Sequence, residues 1–403
     1  MPAVRGATTT PAWWRLAGGL GVSAIISYGT SQYLFGVLIA PWQRDLGAGP
    51  GTLAAVYSAG MLMSGLFGLL AGRLLDRFGP RGPMVAGSAA SGAALLAMST
   101  VHDAWWLFPL WSGLHALGMG LTYYPVTFAV LGRWFPEHRA SALGVLSFVG
   151  GTSSLVFVPL AGWLADATGW RATLVVMGLV QLLVALPLHA LLLRHGRPWQ
   201  REDGPAPAGS RREVSRVVRS GWFWGLTLGG ALIMLAAHVV FVYLVPYLAS
   251  RGLTPVAAAA IGGLIGVSSP PSRLALAVLT RIVRAARLLV AVVVFAALGV
   301  ALVVLAAGPV AFGAGVIMFG AGYGAQGPLR ALVLSHEADP DAYGTLNGLQ
   351  NLPAAAFGAG GPLLAGGMLA GGWGYDAVFA GVIAVLVLGA VSSASAWRRK
   401  SAR

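Results

Sequence analysis

The chain has 403 residues, of which 57% are hydrophobic and only 9% charged, against about 25% charged in a soluble domain. Such a surface excludes a water-soluble fold, and at about 20 apolar residues per crossing the hydrophobic runs consume nearly the whole chain, leaving no room for a separate soluble domain. The formal charge of +14 does not point to nucleic acid, because the arginines gather in alternate short loops, and the absence of cysteine removes disulfides, thiol nucleophiles and thiolate metal sites.

Apolar runs between polar or Gly/Pro punctuation predict helices near 16–40, 52–72, 82–100, 105–132, 139–164 and 170–193. After a basic segment, six more follow near 221–249, 256–280, 286–307, 310–335, 343–370 and 374–397. They are helices 1 to 12. The first is too long for a signal-peptide core and lacks a convincing cleavage site, so it is expected to remain in the protein. Arg5 and Arg15 precede helix 1, Arg73, Arg77 and Arg81 follow helix 2, Arg133 and Arg139 follow helix 4, and Arg281, Arg284 and Arg287 follow helix 8. Arg398, Arg399, Lys400 and Arg403 close the chain, whereas the opposite loops carry Arg44, Arg171 and Arg251. Both termini are therefore expected in the cytoplasm, with the protein spanning the cell's inner membrane. The loop 336–342, with His336, Glu337, Asp339 and Asp341, lacks a cation, but acids weigh little in topology.

The two halves repeat at an interval near 200 residues. GMGLTYYP from Gly118 faces GAGYGAQGP from Gly320, and PLAGWLADATGWRATL from Pro159 answers PLLAGGMLAGGWGYDAVF from Pro362. The expected fold is an all-α polytopic membrane protein of 12 transmembrane helices in two pseudo-symmetric six-helix bundles, residues 1–193 and 221–403. A site between the halves near the midplane follows from such parallel repeats. The basic linker 194–220 reads either as a solvated loop or as a short amphipathic helix on the membrane surface, with Val214, Val217 and Val218 apolar.

Helix 8 carries the most informative residue, Arg273, deep inside an apolar run and just after Pro270 and Pro271. A guanidinium at a helix centre in lipid costs about 2.5–3.5 kcal/mol, so it faces a partner or a watery cavity. The prolines remove donors to the carbonyls of Gly266 and Val267, which predicts a kink beside the charge. All 12 acidic residues fall in loops or at helix ends. A bound anion is then the natural counter-ion, and the planar fork suits a carboxylate. Arg330 lies about 12 Å past the centre of helix 10, against about 7 Å for Arg273 in helix 8, so it is expected to snorkel to the interface or pair with Glu337.

The loop GLLAGRLLDRFGPRGP after helix 2 resembles the signature loop of the major facilitator superfamily through Gly72, Asp76, Arg77, Gly79 and Arg81. The resemblance implies that this loop gates the cytoplasmic ends of the helices; from the residues alone, Asp76 pairs with Arg73 or Arg77. In the second half, Thr280 stands where the aspartate would be. Within the superfamily, SYGTSQYLFGVLIAPWQRDLG, RWFPEHRASALG, AHVVFVYLVPYLASRGLT and YGTLNGLQN resemble the monocarboxylate transporter and oxalate:formate antiporter branch. That implies a secondary active transporter of a small organic anion, first of all a monocarboxylate, with Arg273 pairing its carboxylate. It also implies tyrosines of helices 1 and 4 lining the site, matched by Tyr28 or Tyr33 and by Tyr123 or Tyr124. Two departures stand out: the deep lysine that mammalian members carry in helix 1 and oxalate exchangers in helix 11 is missing, and Ser269 occupies the place of a proton-accepting aspartate.

Helical spacing puts Tyr28 and Gln32 on one face and Tyr33 elsewhere, while Tyr123 and Tyr124 point about 100° apart, so that one of the two reaches the cavity. His115 and His238 are the deep titratable candidates, with His238 on a cavity-bordering helix, and Asn347 and Gln350 offer polar groups on helix 11. Each also has a structural reading, as packing or an interhelical hydrogen bond. The alternative cargo is an apolar drug or a sugar. Without HExxH, paired intramembrane aspartates or cysteine, the chain reads as a carrier and not an enzyme, with no cofactor or metal site. Its expected partners are the small anion, a coupling proton or counter-anion and the lipid bilayer, with the protein acting as a monomer.

Overall fold

The computed structural model describes residues 13–194 and 208–395. Arg5, the basic cluster from Arg398 and linker residues 195–207 lie outside them. Among the described residues the chain is helical, with no strand. Helices 1 to 6 span Trp13–Leu46, Pro50–Phe78, Arg81–Met98, Ala104–Trp134, 139–168 and 170–192. Helices 7 to 12 span Gly221–Ser250, 255–282, Ala285–Leu305, Pro309–Glu337, Pro340–Ala370 and Tyr375–Ser393. Eight stretches are long and apolar enough to cross a membrane by length and composition, one of them the 52-residue run Ser141–Leu192. That run holds two helices, because Gly169 reverses direction at φ 81°, a left-handed value that glycine adopts without a Cβ penalty. Leucines and valines face outward along most helices, and exposed tryptophans cap both ends of the belt: Trp14 and Trp224 at one, Trp105, Trp106 and Trp373 at the other. Their amphipathic rings suit the two membrane interfaces.

The repeat is visible in how each half ties its helices at the arginine-poor end. In the first half Trp170 at the start of helix 6 donates to Asp45 of helix 1 at 2.7 Å. Arg171, with its guanidinium 4.1 Å over the Trp170 ring, donates to the Val101 carbonyl beyond helix 3. In the second half the equivalent helices use other residues. Tyr247 of helix 7 donates to Asp376 of helix 12 at 2.8 Å, and Arg251 donates to the Val304 and Ala306 carbonyls ending helix 9. Both arginines sit where a helix C-terminus leaves carbonyls unsatisfied and a partial negative charge.

Among the described residues the halves share a buried apolar cluster toward this end. One buried cluster runs from Phe35, Leu38 and Tyr57 into Phe241, Tyr243 and Leu244, whereas Leu16, Leu75, Leu131, Trp134 and Leu146 form a separate cluster within the first half at the arginine-rich end. Helix 1 meets helix 7 so closely that a Cβ on Gly36 would lie 2.7 Å from the Phe241 carbonyl oxygen. Helix 2 meets helix 11 at Ala54 and Gly366, and helix 5 meets helix 8 at Gly162 and Ala259. The bundle is therefore shut at the arginine-poor end and parted at the other. The linker forms a helix, Ala208–Val218, packed on helices 7 and 11. Its Val217 is buried there, with Val214 and Val218 against the same core, so its apolar side faces protein and its Glu213 pairs with Arg216.

Replacing Gly36 by leucine should open the shut end, since overpacking against fixed backbone costs about 1–3 kcal/mol. The natural chain lacks cysteine, so spin labels at Gln43→Cys and Ala249→Cys report this directly. The expected result is a longer distance distribution in Gly36→Leu.

Candidate functional site

Helix 8 consists of Pro255–Gly263 and Ile265–Ile282, joined by a turn at Leu264. The backbone runs helically through Pro270 and Pro271 beside Arg273, and the interruption of helix 8 lies about two turns earlier. The physical reason is packing, since Gly263 is pressed against Pro159 and the Ser154 carbonyl of helix 5. The serine hydroxyls around the prolines bond within helix 8, Ser268 to the Leu264 and Ile265 carbonyls and Ser272 to that of Ser269, and not to the Gly266 or Val267 carbonyl.

Arg273 is half-buried and bridges the two halves. Its Nε donates to the Gly324 carbonyl of helix 10 at 3.1 Å, and one Nη donates to the Ser147 carbonyl of helix 5 at 3.0 Å. The two acceptors differ. Pro328, four residues after Gly324, has no N–H to give that carbonyl. The Ser147 carbonyl already accepts the Gly151 N–H at 3.0 Å and takes Arg273 on its second lone pair. Gly324 lets helix 10 approach, since a Cβ there would lie 2.7 Å from Ser269 Cα. No carboxylate pairs with Arg273 among the described residues. A guanidinium has five N–H donors, so three remain. The group borders a cavity of about 660 Å³ between helices 4, 5, 8 and 10.

Above it stand the tyrosines. Tyr28 stacks on Tyr123 at 4.1 Å between ring centroids and meets Tyr124 at 4.7 Å, so both helix 4 tyrosines reach one partner. Even helical spacing had them diverging; the structure differs because helix 4 is broken at Tyr123, whose ψ is 173°. The Tyr123 hydroxyl donates to Ser31 at 2.9 Å. Ser31 lies in a π-helical turn, Gly29–Tyr33, of helix 1, which also displaces Gln32 from the face that simple i, i+4 spacing assigns it. Gln32 is buried and makes no hydrogen bond among the described residues. Tyr33 crosses to the other half, edge-on to Phe241 of helix 7 at 5.5 Å, and Phe241 meets Tyr323 of helix 10 at 5.1 Å. Tyr33, Tyr124 and Tyr323 all lie within electrostatic reach of Arg273. Tyr323 was not singled out from the sequence, although it stands inside the repeated glycine-rich stretch of helix 10.

Other candidates fall elsewhere. His238 is buried between Tyr57 and Phe241, with Nδ1 on the Met234 carbonyl at 2.9 Å. His115 packs on Trp111 inside the first half. Asn347 is half-buried; Gln350 is fully buried with neither amide atom partnered among the described residues. Arg330 neither snorkels nor pairs with Glu337. It turns inward, donating to Asn351 of helix 11 at 2.8 Å with Nη1 against Gly230 of helix 7, because glycine leaves room there.

At the arginine-rich end, Asp76 pairs not with its loop neighbours but with Arg133 of helix 4 at 2.8 Å. Arg77 lies over Phe78, and Arg81 donates to the Ala190 carbonyl of helix 6. Gly79 takes φ 68° to turn the chain, and Gly72 stands exposed on helix 2. These contacts lie within the first half.

A sequence profile of the Major Facilitator Superfamily matches residues 20–362. The chain belongs to this superfamily. It is 30% identical over 207 residues to monocarboxylate transporter 13 of Bos taurus, covering 50% of this chain and 46% of that protein. It is 26% identical over 211 residues to the oxalate:formate antiporter of Oxalobacter formigenes, covering 50% and 46%. The chain spans about half the length of the curated relatives it matches. Among solved structures, the nucleoside transporter NupG aligns with a TM-score of 0.77 at 14% identity, covering 95% of this chain and 100% of that one. A bacterial homologue of the lysosomal transporter Spinster, in an inward-facing and unoccupied conformation, aligns at 0.70 and 18% identity over 98% and 97%. Identities this low speak for the fold.

Gly324→Ala should lower the apparent melting temperature, because its Cβ meets helix 8 backbone at a cost of about 1–3 kcal/mol. Gly327→Ala, whose Cβ would meet nothing within 4 Å, should leave it unchanged or raise it. Size-exclusion recovery after a heating series reads both.

Proposed function

We propose that the protein is a secondary active transporter that moves a small organic anion, a monocarboxylate in the first instance, by alternating access. The observation that carries this reading is the Arg273 guanidinium, held between the halves by two backbone carbonyls with no carboxylate partner among the described residues. Neutral carbonyls orient a charge without cancelling it. An arriving carboxylate accepts from the remaining Nη hydrogens, and the exclusion of water strengthens that charge-assisted pair.

Tyr28, Gln32, Tyr33, Tyr123, Tyr124, His238, Asn347 and Gln350 are the proposed surrounding set, supplying hydroxyl, amide and ring contacts. Residues 1–193 and 221–403 are the proposed rocking units, joined by the linker 194–220. Arg273 belongs to one unit and the Ser147 carbonyl to the other, so rocking has to break this contact, and a bound anion offers the freed donor a new acceptor. The loop of Gly72, Asp76, Arg77, Gly79 and Arg81 is the proposed latch at the cytoplasmic side, with both termini on that side of the inner membrane. Either a proton or a counter-anion couples the cycle, in a monomer.

Uptake of radiolabelled lactate, pyruvate, formate, oxalate and the longer monocarboxylates hexanoate and benzoate into proteoliposomes, with and without a pH gradient, tests this. Arg273→Gln should reduce carboxylate uptake by about 30-fold or more, since truncating one partner of a buried charge pair costs about 2–5 kcal/mol. Arg273→Lys should recover part of it, keeping the charge and losing the fork. Wild-type uptake by a folded Arg273→Gln protein would reject the assignment.

A further inference from the structure

We infer that the anion received by Arg273 carries an apolar body of several carbons, so that the cargo is an amphipathic monocarboxylate and not an acid the size of formate, oxalate or lactate. This rests on the reading of Arg273 as the carboxylate site, and deepens it. The cavity beside the guanidinium, about 660 Å³, falls in the range of about 300–1,000 Å³ typical of sites that enclose drug-sized ligands. Its walls are apolar: Phe128, Leu143, Val145 and Phe148 from one half, Pro270 and Leu274 from the other. Arg273 and Ser147 are the only polar residues in that lining.

A formate or oxalate ion would leave most of this apolar surface facing water. A second carboxylate would fare worse, because an ionised group against apolar walls is costly without a paired cation, and Arg330 is committed to Asn351 on the far side of helix 10. An apolar tail answers the walls directly, one carboxylate answers the one cation, and Gly144, where a Cβ would meet nothing within 4 Å, leaves a slot along helix 5 for it. Phe148 and Leu274 at the mouth are 44% and 63% exposed, unburied apolar surface that such a tail would cover.

Calorimetric titration of the full-length protein in detergent at about pH 8, where carboxylic acids are ionised, tests this with acetate, butanoate, hexanoate, benzoate, lactate and oxalate. Each methylene should tighten binding about fourfold, the equivalent of about 0.8 kcal/mol per buried CH₂. Gly144→Leu, which fills the slot with a good helix former, should remove most of that slope. Arg273→Gln should abolish binding of the whole series. If lactate, oxalate or acetate binds as tightly as hexanoate, or if the slope survives Gly144→Leu, the apolar-body proposal falls, while loss of binding in Arg273→Gln still upholds the carboxylate site. If hexanoate binds equally well to Arg273→Gln, the carboxylate site itself falls.

Discussion

A permanent charge set among apolar helices has to be answered, and the way Arg273 is answered organises the centre of this protein. An acid would cancel the guanidinium; two backbone carbonyls only aim it. Proline removes the donor owed to the Gly324 carbonyl, whereas the Ser147 carbonyl keeps its own Gly151 N–H and accepts Arg273 as a second donor. Arg273 thus meets the polar group that Pro328 leaves open, as the rule for irregular backbone in the hydrocarbon requires.

The same arginine connects the two halves where little else does. At the arginine-poor end each half is tied by its own aromatic, acid and arginine network, and the halves share a dry core from Phe35 to Phe241. At the arginine-rich end the first half closes its own cluster around Leu131 and Leu146. Stiff ends on each unit and a seam packed at one end only are what rigid-body rocking requires, because close-packed interfaces switch between discrete arrangements and do not deform continuously.

The pseudo-symmetry is conserved in position and not in chemistry. Helices 1, 3 and 6 are joined through Asp45, Trp170 and Arg171, helices 7, 9 and 12 through Tyr247, Arg251 and Asp376. The acid and the arginine have exchanged helices between the halves. Likewise the last turn of helix 2 offers Asp76 to Arg133, whereas Thr280 in the last turn of helix 8 bonds back to Leu276 of the same helix.

Much of this was legible in the amino-acid order alone. Membrane insertion, the twelve apolar runs, the repeat, the loop after helix 2 and the depth of Arg273 are all properties of short stretches, and hydropathy and glycine or proline spacing register them locally. What the tertiary structure decided is where distant stretches meet. Packing on Pro159 moved the break in helix 8 to Leu264; a broken helix 4 brought Tyr123 and Tyr124 onto the same ring; the space above Gly230 drew Arg330 inward to Asn351; and Arg133, 57 residues away in the chain, took Asp76 from its neighbours. Such outcomes turn on which side chain fits against which across helices, and periodicity within one helix carries no record of that fit.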